Sequence, residues 1–455
     1  MKNYLSYTFF LLLLVLVVLG GMHYLPPLEW GGTSMRRVDL LADVRMFPPV
    51  AEDEKVEDVD SLVLPEVLPA FVDTCKSGLT CIEDYADSTN RGMDLFYAAL
   101  DERIRLKRPV RIAVFGDSFI EADIFTGDLR SLLQSTYGGC GVGFVPVTSL
   151  TNGFRPTVRH SFDGWDSHLI TDTVYFDKSK QGISGGYYVP RQEAYVELSG
   201  QKKYALHLDT CRRSSVYFLT DGVLDLTSSV NGKKLESYHF EGAKTVQIAC
   251  VEGEIGRVRW TVDRADSVLF YGVTMDGDEG VSVDNFSLRG SSGLSLRTIP
   301  LKFLRQFNEL RPYDLLILQY GLNVATEKGK TYDAYKQGML STIEHLKDAF
   351  PNAGILIMGV GDRDYRTETG ELRTMPGVKN LIRYQQAIAA ESHVAFWNLF
   401  EAMGGEGSMA TLVHAKPAMA NYDYTHINFK GGAHLAGLLF DTMLYGKEQY
   451  DRKNQ

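Results

Sequence analysis

Residues 110–134, VRIAVFGDSFIEADIFTGDLRSLLQ, pass from an apolar strand through Gly-Asp-Ser directly into helical spacing. From Phe119 to Tyr137 the apolar positions Ile120, Ile124, Leu129, Leu132 and Leu133 recur every three or four residues, the period of one helix face. A strand that feeds straight into a helix opens an α/β unit and leaves few architectures open. The alternation returns late in the chain. YDLLILQYG (313–321) is a strand, TYDAYKQGMLSTIEHLKDAF a helix and AGILIMGVG a strand; a helix over Val378–Ser392, a short strand VAFWNL and a last helix over Gly431–Tyr445 follow. A further helix is expected over Arg91–Lys107, ended by Pro109. This order predicts a parallel sheet covered on both faces.

Residues 155–280 read differently. Segments such as TDTVYF, EAYVEL, YALHLD, KTVQIAC and SVLFYGV are short, rich in Val, Tyr and Thr, and separated by Gly, Asn, Asp or Ser turns. That pattern predicts an antiparallel sandwich inserted into the α/β domain through a surface loop. Tyr187, Tyr188 and Trp260 are candidates for stacking on sugar rings, against the plainer expectation that they fill the sandwich core.

The amino terminus, MKNYLSYTFFLLLLVLVVLGGMHYLPP, holds an uncharged apolar run from Tyr4 to Tyr24, about the length that crosses a bilayer. It is expected to act as an uncleaved signal anchor, with the bulk of the chain extracytoplasmic; a cleaved leader is the alternative. The expected organisation is a membrane anchor over 1–25, an extended Pro- and acid-rich stalk over 26–90, a first α/β part over 91–154, the β insert over 155–280 and a second α/β part over 281–455. A net charge of −10 argues against nucleic acid as a partner, because phosphate backbones are held by dense basic surface. Five cysteines suit an exported chain. Their pairing cannot be read from sequence; Cys75 and Cys81 bracket a short loop and Cys211 and Cys250 lie in one β-rich region, so two local disulfides are open to them, with Cys140 the odd one. Their spacing does not suit a zinc site.

In a parallel α/β sheet, ligands sit beyond the carboxyl ends of the strands, and the turn after VRIAVF puts Ser118 there. Its backbone N–H groups lie at a helix amino terminus, where they favour negative charge. Near the other end of the chain, NYDYTHINFKGG carries Asp423 and His426 three residues apart, so that one short turn presents an imidazole with a carboxylate against its second ring nitrogen. Gly-Asp-Ser alone is an ordinary turn, and Asp-x-x-His alone is common. Asp117 is expected to cap or brace the nucleophile turn, His434 to be a packing residue, and GVGDRDYR (359–366) to be a solvated loop at the same edge, from which Asp362 or Arg363 could reach substrate.

Taken together, these motifs resemble the SGNH, or GDSL-type, hydrolases, which carry separated blocks in fixed order. FGDSF supplies the first, VDNFSLRGSSG the second with Gly290 as its glycine, YGLNV the third and the Asp423–His426 motif the last. The resemblance implies a three-layer, flavodoxin-like α/β fold. It further implies Ser118 as nucleophile, His426 as base, Asp423 as its partner, and an oxyanion hole from Ser118, Gly290 and Asn323. No metal or organic cofactor is implied. Val324 stands where the family usually has aspartate, which implies altered local support around an intact donor.

The run GDSFIEADIFTGDLRSLLQSTYGGCGVGFVP, followed by a β-rich insert, is similar to peptidoglycan O-acetylesterases of the Neisseria type. That narrower likeness implies an extracytoplasmic serine esterase acting on an acetylated cell-envelope polysaccharide. A polysaccharide O-acetyltransferase using the same three residues, or a non-catalytic glycan-binding envelope protein, are the competing expectations.

Overall fold

The computed structural model describes residues 8–11, 13–15, 29–30, 33–34, 75–87, 92–172, 176–367 and 369–455. The expected membrane anchor lies largely outside these residues, as does most of the expected stalk. Among the described residues no helix is long and apolar enough to cross a membrane. Glu29–Trp30 pairs antiparallel with Thr33–Ser34.

In chain order, the main body begins with β1 (Ile82–Asp84), α1 (Met93–Glu102) and β2 (Val110–Gly116), then α2 (Thr126–Tyr137) and β3 (Gly143–Val145). A run of strands follows: β4 (Val158–Leu169), β5 (Gly186–Gly200), β6 (Cys211–Thr220), β7 (Leu224–Val230), β8 (Lys233–Phe240), β9 (Val246–Ile255), β10 (Arg257–Ala265) and β11 (Val268–Met275). The chain then returns through β12 (Val281–Ser287), α3 (Leu301–Leu310), β13 (Leu315–Gln319), α4 (Asp333–Ala349) and β14 (Gly354–Met358). A small hairpin (Asp364–Arg366 with Leu372–Thr374), α5 (Pro376–Glu391), β15 (Ala395–Trp397), two short helices (Leu399–Met403 and Ser408–His414) and α6 (Phe429–Asn454) complete it.

The first sheet has the order β12-β2-β13-β14-β15-β1, parallel except for β1. Every residue of β2, β13, β14 and β15 is buried, as expected of strands covered on both faces. Helices α1 and α2 pack on α6, while α4 packs on both α3 and α5, giving helices on either side. The mixed α/β fold with a β-rich module is therefore present as expected.

The edge strand β1 corrects the stalk expected over 26–90. Residues 75–86 belong to the domain: the Cys75–Cys81 disulfide closes a short loop, and the Thr80 carbonyl accepts from Trp397 Nε1 (2.9 Å) and Thr442 Oγ1 (3.0 Å). Three residues, two of them acidic, carry no readable periodicity. An edge strand of this length needs little apolar surface.

Strand β12 was also invisible in the apolar pattern, because VSVDNFS buries its polar side chains. Asp284 accepts from Arg311 Nε (2.7 Å) and Nη2 (2.8 Å), from Tyr313 Oη (2.6 Å) and from Phe144 N–H (2.8 Å). Arg311 also binds Asp276 through Nη1 (2.5 Å), and Ser282 Oγ donates to the same carboxylate (3.0 Å). Burial pushes the Asp276 carboxyl up, but the guanidinium outweighs it and holds the group at about 2.

The β-rich module is one nine-stranded antiparallel sheet with the order β8-β7-β10-β5-β11-β6-β9, with β4 added to β5 and β3 to β11. It curls over its own core. Tyr238 on β8 donates to the Cys250 carbonyl on β9 (3.0 Å), so the two ends of that order meet, and Phe218 on β6 packs edge-on against Phe240 on β8 at 4.8 Å. The module begins at Gly143 rather than at 155, because β3 pairs with β11. Departure and return of the chain adjoin: Gly138 O accepts from Val281 N–H (2.9 Å). At Gly280 (φ +75°) a Cβ would lie 2.2 Å from the Gly138 carbonyl carbon, so only glycine fits.

Tyr187, Tyr188 and Trp260 are buried. Trp260 donates to Ser214 Oγ (3.1 Å), and Tyr187 stacks on His168. They serve packing, not sugar stacking. The Cys211–Cys250 pairing does not form: the register of β6 and β9 sets Cys250 against Ser215 and Cys211 against Ile255.

Candidate active site

Strands β2, β12, β13 and β14 end level, with Gly116 opposite Ser287 and Gln319, and Gln319 opposite Met358. The segments carrying Ser118, Gly290, Asn323 and Asp362 leave from this edge, while Asp423 and His426 come from the loop between the helix Ser408–His414 and α6. Asp117, in extended conformation, caps the turn after β2 by accepting from Phe119 N–H (2.9 Å), which leaves Ser118 as the first residue of a short 3-10 helix, Ser118–Asp123.

The long helix expected from Phe119 to Tyr137 breaks here. Ala122 and Asp123 take positive φ (+54° and +62°), and Asp123 turns wholly inward. Its carboxylate accepts from Thr126 Oγ1 (2.7 Å), Arg130 Nη1 (3.1 Å), Arg155 Nε (2.8 Å), Thr157 Oγ1 (2.5 Å) and Asn285 Nδ2 (3.1 Å). Desolvation pushes this carboxyl up, but the two guanidinium groups hold it far below the usual carboxylate range. Asn285 also donates to the Ile120 carbonyl (2.7 Å), tying the turn to β12. No local signal marks this cluster, because Arg155, Thr157 and Asn285 lie far from Asp123 along the chain.

Ser118 Oγ stands 3.0 Å from His426 Nε2, and His426 Nδ1 stands 2.8 Å from Asp423 Oδ2. The second Asp423 oxygen accepts the N–H groups of Thr425 and His426, both at 3.0 Å. Desolvation raises the Asp423 carboxyl, yet these donors outweigh it and hold the group below its ordinary value. An ionised Asp423 fixes the Nδ1–H tautomer, leaving Nε2 free to accept the serine proton. The loop is braced from behind: Asn421 N–H donates to the His426 carbonyl (2.8 Å), and Asp364 N–H to the Tyr424 carbonyl (3.0 Å).

Gly290 (φ +77°) sits in the turn Leu288–Ser291 just beyond β12, with nothing within 4 Å of where a Cβ would be. Asn323 Nδ2 lies 3.2 Å from Asp117 Oδ2 and 3.1 Å from the Ser291 carbonyl, so the second and third motifs meet beside the Ser118 turn. Burial pushes the Asp117 carboxyl up to about 6, against the Phe119 N–H and the His426 charge that lower it. Val324 packs against the core.

Two expectations change. Asp362 is no solvated-loop residue: it is fully buried, accepting from Met409 N–H (2.8 Å) and Thr374 Oγ1 (2.8 Å), while Arg363 Nη1 donates to the Leu322 carbonyl (3.0 Å) beside Asn323. His434 is exposed on α6 rather than packed.

No protein-family model matches the chain, and no curated protein matches it by sequence. Among solved structures, a peptidoglycan O-acetylesterase superposes with a TM-score of 0.65 at 21% identity, over 81% of this chain and 99% of its own. A salicylyl-acyltransferase from a tetracycline biosynthetic pathway (TM-score 0.30, 14% identity, 66% of this chain, 97% of its own) shares far less. So does a family two carbohydrate esterase from Clostridium thermocellum (TM-score 0.25, 10% identity, 64% of this chain, 99% of its own). This chain shares the fold of the peptidoglycan O-acetylesterase along most of its length.

Proposed function

We propose that the protein is a carboxylic ester hydrolase that removes O-acetyl groups from a cell-envelope polysaccharide such as peptidoglycan. The observation that carries this reading is the unbroken relay from Ser118 through His426 to Asp423 at the carboxyl edge of the parallel sheet. The shared architecture with a peptidoglycan O-acetylesterase supports the choice of substrate class.

In this mechanism His426 Nε2 takes the Ser118 proton as Oγ attacks the acetyl carbonyl. The oxyanion is received by the N–H groups of Ser118 and Gly290 and by Asn323 Nδ2, which turns from the Ser291 carbonyl toward it. His426 then protonates the departing sugar oxygen. Water, deprotonated by the same imidazole, attacks the acetyl-serine and releases acetate. Asn323→Ala is expected to lower kcat by ~10²–10³-fold with little change in KM, read by steady-state kinetics on 4-nitrophenyl acetate. An unchanged kcat would remove Asn323 from the oxyanion hole.

The same reading places the catalytic domain outside the cytoplasm, held to the membrane by the apolar run near the amino terminus. The Cys75–Cys81 disulfide supports an oxidising compartment.

The test is acetate release from O-acetylated peptidoglycan by the full chain in detergent, beside the Ser118→Ala protein. Serine-dependent release of free acetate is expected. Acetyl groups appearing instead on an added acceptor glycan would identify a transferase. Retention of the glycan with no acetyl lost to either would leave a binding protein.

A further inference from the structure

The turn that follows β13 closes on one carbonyl: Val324 N–H and Ala325 N–H both donate to Gly321 O (2.9 and 2.8 Å). The Leu322 carbonyl, in the same peptide as the Asn323 nitrogen, is left without a backbone donor among the described residues. A peptide is planar, so whatever holds this carbonyl also sets the direction in which the Asn323 side chain leaves the turn. Val324, packed on the core, offers the turn no polar anchor.

Two side chains of opposite charge hold it instead. Asp117 Oδ2 accepts from Asn323 Nδ2 (3.2 Å), and Arg363 Nη1 donates to the Leu322 carbonyl (3.0 Å). Arg363 is half-buried and pairs with no carboxylate among the described residues, so its charge is not spent on a competing partner. A guanidinium is a charged donor of fixed geometry, and a carbonyl that meets it is held more firmly than one that meets a neutral N–H.

The segment under Arg363 is itself tied down. Its carbonyl accepts from Met375 N–H (2.8 Å), while the inward-turned carboxylates on either side accept from the helix Ser408–His414: Asp362 from Met409 N–H and Asp364 from Ala410 N–H, both at 2.8 Å. Asp364 N–H holds the Tyr424 carbonyl (3.0 Å). One segment thus braces both the loop of Asp423 and His426 and the turn of Asn323. Contacts of this outer kind fix the orientation of the groups that meet substrate.

We propose that Arg363 is a positioning residue for ester cleavage: by holding the Leu322 carbonyl it keeps one Asn323 N–H on Asp117 and leaves the other to pass from the Ser291 carbonyl to the oxyanion. Arg363 touches no reacting atom and acts through Asn323 alone. The inference rests on the esterase reading and adds to it the residue that sets the oxyanion donor.

The test is a double-mutant cycle on the full chain in detergent, with 4-nitrophenyl acetate as substrate. Arg363→Met, which keeps an unbranched stem and removes the donor, is expected to lower kcat by ~10- to 10²-fold with KM unchanged. The ceiling is the ~10²–10³-fold loss expected of Asn323→Ala, because the effect passes through that amide. In the Asn323→Ala protein the same Arg363→Met change is expected to lower kcat by less than about 2-fold further. Arg363→Lys, which keeps a charged donor on a long stem, is expected to recover most of kcat. An unchanged kcat, a loss seen in KM, or losses that multiply in the double variant overturn the proposal. Should Arg363→Met not fold, Arg363→Gln takes its place in the cycle and is judged by the same outcomes.

If the unaltered protein cleaves no ester, the esterase reading falls, and crystal structures of the unaltered and Arg363→Met proteins decide separately whether Arg363 sets Asn323. Asn323 Nδ2 displaced from Asp117 in the variant keeps that role, and an unmoved Asn323 overturns it.

Discussion

Ser118→Ala is expected to lower kcat for ester cleavage by at least ~10⁴-fold while leaving the melting temperature within about a degree. The size follows from the loss of the attacking atom itself: His426 and Asp423 then have nothing to activate. Residual turnover would come from the oxyanion donors acting on water. The small structural cost follows from the contacts, since among the described residues the Ser118 hydroxyl hydrogen-bonds to the His426 ring alone. Steady-state kinetics on 4-nitrophenyl acetate, read with thermal unfolding of the same samples, checks both halves. A variant that keeps more than about a tenth of the activity would place the nucleophile elsewhere.

The largest effect on stability is expected from Arg311→Met. Arg311 is almost wholly buried between Asp276, at the end of the β-rich module, and Asp284, in the parallel sheet. Removing the cation leaves two carboxylates without their main partner, and breaking a buried ion pair this way costs ~3–5 kcal/mol. The pH dependence has a definite sign. The folded value of Asp276, about 2, lies below the ~3.9 of an unfolded aspartate. The stabilisation is therefore fully present above about pH 4 and is lost as pH falls toward 2. In the variant, burial without the guanidinium raises the carboxyl instead, so acid relieves the strain. The gap in melting temperature between the two proteins should be widest near neutral pH and narrow on acidification. A constant gap would mean that Arg311 stabilises by packing alone.

The contact chain from Ser118 through His426 to Asp423 was legible in the sequence because each of its parts is local. Ser118 needs only an apolar strand and a tight turn, and Asp423 and His426 need only a spacing that fits one loop. The buried strands β2, β13 and β14 were legible for a similar reason, being short apolar runs between helices of clear period. What stayed hidden depends on pairing across the chain. Strand β12 looks too polar to be buried, since the acceptors and donors that satisfy Ser282, Asp284 and Asn285 come from Asp276, Arg311, Tyr313 and the Asp123 turn. The break at Ala122–Asp123 was hidden because Arg155 and Asn285, which help draw Asp123 inward, are far from it in sequence. The module boundary at Gly143 was missed because β3 is three residues long and lies among glycines. The cysteine expectation failed on register, which sequence proximity within a β-rich region does not give.

An acetyl-enzyme formed at Ser118 can be trapped. The full chain is mixed with 4-nitrophenyl acetate, quenched in acid during the first turnovers and digested, and the peptides are mapped by mass spectrometry. One added acetyl group is expected, on Ser118, that is absent from the Ser118→Ala protein and disappears when turnover is allowed to finish. Acetate release with no acetyl on Ser118, or with the label on another residue that turns over at the catalytic rate, would contradict it.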